Sequence, residues 1–504
     1  MDDSVRKFVD TLRTELHAEA LVALEACLDC RQCGSACAWY LGTGDPALHP
    51  KHKTDFLRQA YRRSCNPLGW LRGGPALSEQ RLREALPTFW KCTTCGRCTL
   101  ACPLGLSNRS VIRLARAAFA RSGLILETPA LRQVFEGSRD QRHSFALSRD
   151  RIHLRMGFIL HHAGIEIPFD VPRADFMYVG SAVGNTRFPD LDIAIPAMLN
   201  AAGMSYTISS RLTDTGTDIE HVVVDRELSR TMLLEVEAEA LRLQVPTVVI
   251  SECGCDVRTF YIEAAELLGR PLAVRVQAID SLLLQLIGSG DLPVKRVPGR
   301  VTLHDPCKLT RLSGLGDLAR ELAGQVTGEL VEMSPNRERN YCCNGGTGPL
   351  RMPENNDLRR HISRIKADQI RATGASRVVT PCAVCMLTLE DVCQTYGLAP
   401  PGGRGSFLLS ELVYEGALAA LDARGARDRI RMPALLREPK LAGGHSMAAR
   451  IRQLANAPGF AADLAWLRAD AVLHRYLRAN PDAEPLFEAW TTELQRAGKS
   501  EGDA

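Results

Sequence analysis

Val301-Thr302-Leu303-His304-Asp305-Pro306-Cys307 is a short β-branched apolar run that stops at a proline and ends on a cysteine. Arg377-Val378-Val379-Thr380-Pro381-Cys382-Ala383-Val384-Cys385 repeats the pattern. Helical periodicity lies between them, near 309–323 and 355–373, and strand–helix alternation of this kind predicts a parallel sheet. The same order occurs upstream in Phe176–Val179, a helix over 192–202, Thr247–Ile250 and a helix over 257–268. Cys253 and Cys382 are 129 residues apart, as are Ser281 and Ser410 in similar apolar contexts. An internal repeat follows. The chain therefore reads as two α/β units, over 170–290 and 296–425, joined by the turn residues 288–293.

Outside these units the texture is helical. Val5, Phe8, Val9, Leu12 and Leu16 fall on one face of a predicted helix over 4–26, which leads into Cys27. Asn66-Pro67-Leu68-Gly69 and Gly73-Gly74-Pro75 punctuate the stretch that follows. Ser107 or Asn108 caps a predicted helix over 110–121. Residues 1–160 thus form a helical domain, and 426–504 a helical extension with a polar tail expected to be disordered. The fold class is α+β and multidomain.

The 504 residues suffice for about three domains. A net charge of +4 gives no footing for nucleic-acid binding or a polybasic membrane patch. No apolar run approaches the roughly 18 residues of a membrane span, and Met-Asp-Asp at the start does not read as an export signal. Thirteen of the seventeen cysteines fall into three groups. In a reduced compartment such clustering favours metal or redox chemistry over disulfides.

Cys27-x2-Cys30-x2-Cys33-x3-Cys37 and Cys92-x2-Cys95-x2-Cys98-x3-Cys102-Pro103 have the spacing of bacterial ferredoxins. Three thiolates wrap one [4Fe–4S] cubane and the fourth reaches the other. The first cluster is assigned Cys27, Cys30, Cys33 and Cys102, and the second Cys92, Cys95, Cys98 and Cys37. Structural zinc needs four ligands and has no use for the third x2 cysteine in both runs. Ala38 stands where a proline often follows the fourth cysteine.

A third constellation joins Cys307, Cys342-Cys343 in Tyr341-Cys-Cys-Asn-Gly-Gly346, and Cys382-x2-Cys385. Ligands gather at the carboxyl ends of parallel strands, so all five can share one crevice. Five thiolates exceed the four of a cubane. Adjacent cysteines, with Cα atoms about 3.8 Å apart, do not readily take two of its corners. The pattern resembles the cysteine-rich CCG domain of heterodisulfide reductase catalytic subunits, where five such cysteines hold a non-cubane [4Fe–4S] cluster that cleaves a disulfide. Behind a two-cluster ferredoxin module it is similar to the HdrD and DsrK branch. The segments Tyr40–Arg63 and Lys91–Thr99 favour DsrK.

That resemblance implies an enzyme: an iron–sulfur oxidoreductase that cleaves or forms the disulfide or trisulfide of a thiol carrier, with electrons relayed through the two cubanes. It implies a membrane haem b-type or quinone-reactive partner subunit. The substrate would be a small DsrC-like carrier protein or a low-molecular-weight disulfide, and the location the inner face of the cytoplasmic membrane. His304 and Lys308 flank Cys307 and are the candidates for supplying a proton to the leaving thiolate. The alternative is the electron-transfer subunit of a flavin-dependent glycolate or lactate oxidase-type complex. The direction of electron flow is left open.

Asn344 replaces the glycine of the CCG triplet, at a position that Asn can take in left-handed backbone. In the first unit Ser181, Thr213–Gly216 and Cys253-x-Cys255 stand where a full ligand set would lie. One non-cubane cluster is therefore expected, with Cys253 and Cys255 as relics of a lost site. Cys65 and Cys393 read as buried hydrophobes. The basic run from Arg139 to Arg155, with His143 and His153, fits either an acidic partner or a solvated face. Val179-Gly180-Ser181-Ala182-Val183-Gly184 lacks the dinucleotide fingerprint.

Overall fold

The computed structural model describes residues 2–497 except 67, 73 and 218. The tail expected to be disordered, and the loop residues Pro67 and Gly73, lie outside that set. Two four-stranded parallel sheets form the frame. The first contains β1 (Phe176–Val179), β2 (Tyr206–Ile208), β3 (Thr247–Ile250) and β4 (Arg275–Ala278), in the order β2-β1-β3-β4. The second contains β5 (Val297–Leu303), β6 (Thr327–Glu332), β7 (Arg377–Thr380) and β8 (Ser406–Leu408), in the matching order β6-β5-β7-β8. In each sheet the winding direction reverses between the two central strands, where an α/β sheet opens its crevice. Cys307 follows β5 and Cys382 follows β7, so both stand at that reversal.

The two α/β units meet through reciprocal helix pairs. Helix Leu191–Ala201, which follows β1, lies on Leu409–Ala423, which follows β8. The equivalent pair is Ile279–Ser289, after β4, and Gly316–Val326, after β5. This exchange is the signature of an approximate two-fold axis between the units, because each presents the same two elements to the other. One continuous core runs from Met177 and Val249 in the first sheet to Val301 and Val379 in the second.

The N-terminal helices enclose a separate core around Phe8, Phe89, Trp90 and Phe119, with Phe119 5.0 Å from Phe8 and 5.4 Å from Phe89. The predicted helix over 4–26 is two helices, Asp3–Thr14 and Ala18–Glu25. The break turns Ala20 and Leu24 onto helix Asn108–Ser122, which a single straight helix would not reach. Ser107 caps that helix, its Oγ accepting from the Ser110 amide at 3.2 Å. The C-terminal helices lie on Arg149–Ala163. The basic run is used inside the chain: Arg151 pairs with Asp463 and Arg155 with Asp470 of the C-terminal helices, and Arg142 with Glu235 of the first α/β unit. His143 and His153 are buried, and burial pushes His153 down to about 3. Cys393 is buried as expected, whereas Cys65 is half-buried.

Candidate metal centre

The two N-terminal cysteine loops share a backbone device. Asp29 and Arg31 have φ of 59° and 61°, and Thr94 and Gly96 have φ of 48° and 73°. These are the second and fourth residues after the first cysteine of each run. Left-handed residues at both points curl the chain around its own thiols and aim backbone amides inward; the Thr94 amide donates to Cys92 Sγ at 3.3 Å. Cys27, Cys30, Cys33 and Cys102 line one cavity of about 70 Å³. Cys37, Cys92, Cys95 and Cys98 line another of about 40 Å³. Each fourth cysteine thus stands with the other run's three. Burial pushes Cys33 and Cys37 up to about 11. A thiol in such surroundings becomes a thiolate when a metal replaces its proton, so two sets of four sulfurs suit two four-iron groups.

In the second sheet, the chain leaves β5 as His304–Cys307, with the His304 amide donating to the Val379 carbonyl at 2.8 Å. The Asp305 carboxylate receives both Arg320 terminal nitrogens, at 2.7 and 2.9 Å, and the Arg337 amide at 2.6 Å. Burial alone would raise the Asp305 pKa; the Arg320 guanidinium outweighs it and holds the group below the usual carboxylate range. The Asn340 side-chain amide ties His304 Nδ1 to the Asp305 carbonyl, at 3.3 and 2.9 Å, and its oxygen receives Lys366 Nζ at 2.6 Å. The turn that carries Cys307 is therefore held rigidly from three sides.

All five sulfurs expected in this crevice converge there. Cys343 Sγ lies 3.3 Å from Cys385 Sγ, and a His304 ring nitrogen joins them within 4.8 Å. The Cys342 thiol interacts with Cys307 and Cys343, and the Cys385 thiol with Cys382. Cys307 is half-buried while the other four are buried, which marks it as the entrance. Asn344 has φ of 67°, and its amide donates to Cys342 Sγ at 3.4 Å. The left-handed conformation allowed for Asn is the one it adopts. Next to it, a Cβ on Gly345 would stand 2.0 Å from Thr388 Cγ2, so only glycine fits. Asn344→Gly keeps the backbone conformation and is expected to cost only about 1 kcal/mol in urea unfolding, the loss of the buried bond from Asn344 Nδ2 to Ser363 Oγ at 3.3 Å. Asn344→Val is expected to destabilise by about 1–2 kcal/mol more, the cost of a branched residue in left-handed backbone.

His304 is buried, and burial together with the Lys366 charge pushes its pKa down. Lys308 is buried too, and burial, with Arg109 adding to it, lowers it to about 8. Its Nζ donates to Thr94 Oγ1 at 2.9 Å, which places Lys308 at the junction with the second cysteine loop.

Two features of the site were not anticipated, and a third bears on the expectation that the first α/β unit serves as scaffold and one wall of the crevice. The second N-terminal loop is wedged against the crevice: Cys95 interacts with Cys342, Arg311 donates to the Cys95 carbonyl at 2.9 Å, and the Arg97 guanidinium lies 3.6 Å over the Tyr341 ring. Arg116, fully buried, fastens the same junction by donating to the carbonyls of Cys92 and Phe89, at 2.6 and 2.9 Å, and of His221 at 2.9 Å. Finally, Cys253 and Cys255 reach the crevice from the first unit, the Gly254 amide donating to Cys382 Sγ at 3.5 Å. The repeat arithmetic paired Cys253 with Cys382, and a two-fold axis is what brings paired positions into contact.

Residues 301–390 match the cysteine-rich CCG domain and residues 23–106 the 4Fe-4S dicluster domain. The chain is homologous to the HdrD component of heterodisulfide reductases. One relative is the HdrD component of the dihydromethanophenazine:CoB–CoM heterodisulfide reductase of Methanosarcina barkeri, 26% identical over 389 residues that cover 75% of this chain and 90% of the relative. Another is the Hdr-like menaquinol oxidoreductase iron-sulfur subunit 2 of Archaeoglobus fulgidus, 24% identical over 72% of this chain and 74% of the relative. A third is the EtfAB:quinone oxidoreductase of Syntrophomonas wolfei, 22% identical over 74% of this chain and 55% of the relative. This chain is accordingly an Hdr-like iron–sulfur oxidoreductase subunit with an electron-transfer role. Among the described residues no helix is long and apolar enough to cross a membrane.

Proposed function

We propose that the CCG crevice is the catalytic centre of a thiol–disulfide oxidoreductase and that the dicluster domain is its electron wire. The observation that carries this reading is the chain of thiol contacts that joins Cys307, Cys342, Cys343, Cys385 and Cys382, with Cys95 of the second N-terminal loop against Cys342. Cys27, Cys30, Cys33 and Cys102, and Cys37, Cys92, Cys95 and Cys98, are the proposed holders of two cubane [4Fe–4S] groups. The crevice set would hold one non-cubane [4Fe–4S] group. Such groups, when bound, supply one-electron transfer and a metal with affinity for sulfur.

The chain's own residues do the rest. Asn340, Asp305 and Arg320 fix the Cys307 turn. Buried Lys308 and Lys366 place positive charge beside the thiolates of the crevice and would steady a departing substrate thiolate, with Lys308 as its proton source; His304, whose pKa burial and Lys366 push down, is the poorer acid of the two expected from the sequence. The substrate we propose is the disulfide or trisulfide of a DsrC-like carrier protein or a small thiol, and the electron partner a membrane haem b-type or quinone-reactive subunit that holds the chain at the inner face of the cytoplasmic membrane. The word menaquinol in the name of the Archaeoglobus relative supports the quinone side.

A second reading, in which a flavin partner performs the chemistry as in a glycolate or lactate oxidase-type complex and this chain only passes electrons, sits beside it; the Syntrophomonas relative is named for passing between EtfAB and quinone. The anaerobically reconstituted protein separates the two. The catalytic reading expects about twelve irons per chain, as three four-iron groups, a paramagnetic signal that depends on added disulfide, and disulfide cleavage driven by reduced viologen. Cubane signals without a disulfide-dependent signal or cleavage would leave the relay alone.

A further inference from the structure

The first α/β unit supplies two buried cysteines that the proposed set of thirteen ligands does not use. Cys253 is the extended residue before helix Gly254–Arg258, and Cys255 lies in the first turn of that helix. Their thiols interact with each other, and that of Cys253 also with Cys382. The turn that carries them is pressed on the turn that carries Cys307: a Cβ on Gly254 would meet Lys308 Cβ at 3.1 Å, with Pro306 Cβ at 3.6 Å. The Glu252 carbonyl accepts the Ala383 amide at 2.9 Å, and its carboxylate accepts the Ser410 amide at 3.0 Å, so the residue before Cys253 bolts this turn to the second unit. With a helical glycine between them, two residues two positions apart have Cα atoms about 5.4 Å apart, a separation that a disulfide spans.

We propose that Cys253 and Cys255 are a redox-active dithiol of the crevice, exchanging with the substrate disulfide. This rests on the catalytic reading above. One thiol, as thiolate, attacks a substrate sulfur and releases the first substrate thiol. The second protein thiol then displaces the remaining substrate sulfur. The balance is R–S–S–R′ plus two protein thiols giving RSH, R′SH and a Cys253–Cys255 disulfide; the substrate is reduced by two electrons and the dithiol oxidised. Two electrons from the wire and two protons restore the dithiol. A two-electron store beside one-electron centres removes the need for the substrate to wait half-reduced.

Trypsin isolates the test, because residues 243–258 form one peptide whose cysteines are Cys253 and Cys255 alone. The holoprotein, with its clusters oxidised, is treated anaerobically with 4,4′-dithiodipyridine, alkylated, digested and weighed. The expected result is an unalkylated peptide with an internal disulfide, which viologen reduction of the holoprotein returns to the dithiol. Cys253→Ser and Cys255→Ser are expected to keep the wild-type iron content and cubane signals and to lose most disulfide cleavage. A peptide that stays fully alkylated, or variants that cleave disulfide at the wild-type rate, would overturn the proposal and leave the catalytic reading standing. Loss of iron in the variants would overturn it in favour of a ligand role. Absence of cleavage in the wild type, by contrast, would count against the catalytic reading itself.

Discussion

Cys343→Ala is expected to lower the iron content from about twelve to about eight per chain, the loss of one four-iron group, and to abolish disulfide cleavage while both cubane signals persist. Cys343 is the centre of the crevice, in contact with Cys342 and 3.3 Å from Cys385. Its neighbours are fixed by the left-handed Asn344 and the closely fitted Gly345, so the backbone has little freedom to offer another donor. The N-terminal cysteines have their own loops and their own core around Phe119, which is why their groups should survive. Cys393→Ala is the control. That residue is buried on helix Ala383–Thr395 outside the crevice set, and its replacement should cost only about 1 kcal/mol of packing and no iron. Iron analysis with spectroscopy of both variants decides the matter, and equal iron in the two would remove Cys343 from the ligand set.

The second large effect is expected at Glu263. Its Oε1 receives Arg109 at 2.7 Å, Arg113 at 2.8 Å and Arg258 at 2.9 Å, all largely buried. Burial alone would raise its pKa; the Arg113 and Arg109 guanidiniums outweigh it and hold the carboxyl well below the usual range. Glu263→Ala leaves Arg109 and Arg258 without this carboxylate and Arg113 with Glu220 alone. Breaking a buried pair from one side costs about 3–5 kcal/mol. Because helix Asn108–Ser122 carries Arg109 and Arg113, the loss falls on the joint between the N-terminal helices and the first α/β unit. The pH dependence has a fixed sign. A depressed carboxyl contributes stability that is complete above the unfolded value of about 4.3 and disappears as the pH falls through the folded value. The difference in urea midpoint between wild type and variant should therefore be full at pH 7 and close only in strong acid. A gap that shrinks between pH 7 and 5 would contradict this charge assignment.

The central strands β1, β3, β5 and β7 were legible because strands covered on both faces read as unbroken apolar runs. The strands missed are β2, β4, β6 and β8, and these are the sheet edges. Arg275-Val-Gln-Ala278 and Thr327-Gly-Glu-Leu-Val-Glu332 are short and partly exposed, so they carry polar residues that a periodicity reading assigns to loops. The cysteine groups were legible by spacing alone, since a loop that wraps its own ligands is a local object. The contact between Cys95 and Cys342, and the approach of Cys253 to Cys382, depend on how separate units dock. Nothing within either segment encodes that meeting.

The left-handed pairs of the two N-terminal loops also bear on how the protein is made. Asp29, Arg31 and Thr94 sit in a conformation that costs an ordinary side chain about 1–2 kcal/mol per residue, which the Lys51 ion pair to Asp29 at 2.6 Å and the Lys308 bond to Thr94 at 2.9 Å offset only in part while the loops hold no guest. Maturation should then be ordered: an empty polypeptide would hold these hairpins ajar, and loading would snap them shut. Limited proteolysis at Arg31, before and after iron is supplied, would time that closure.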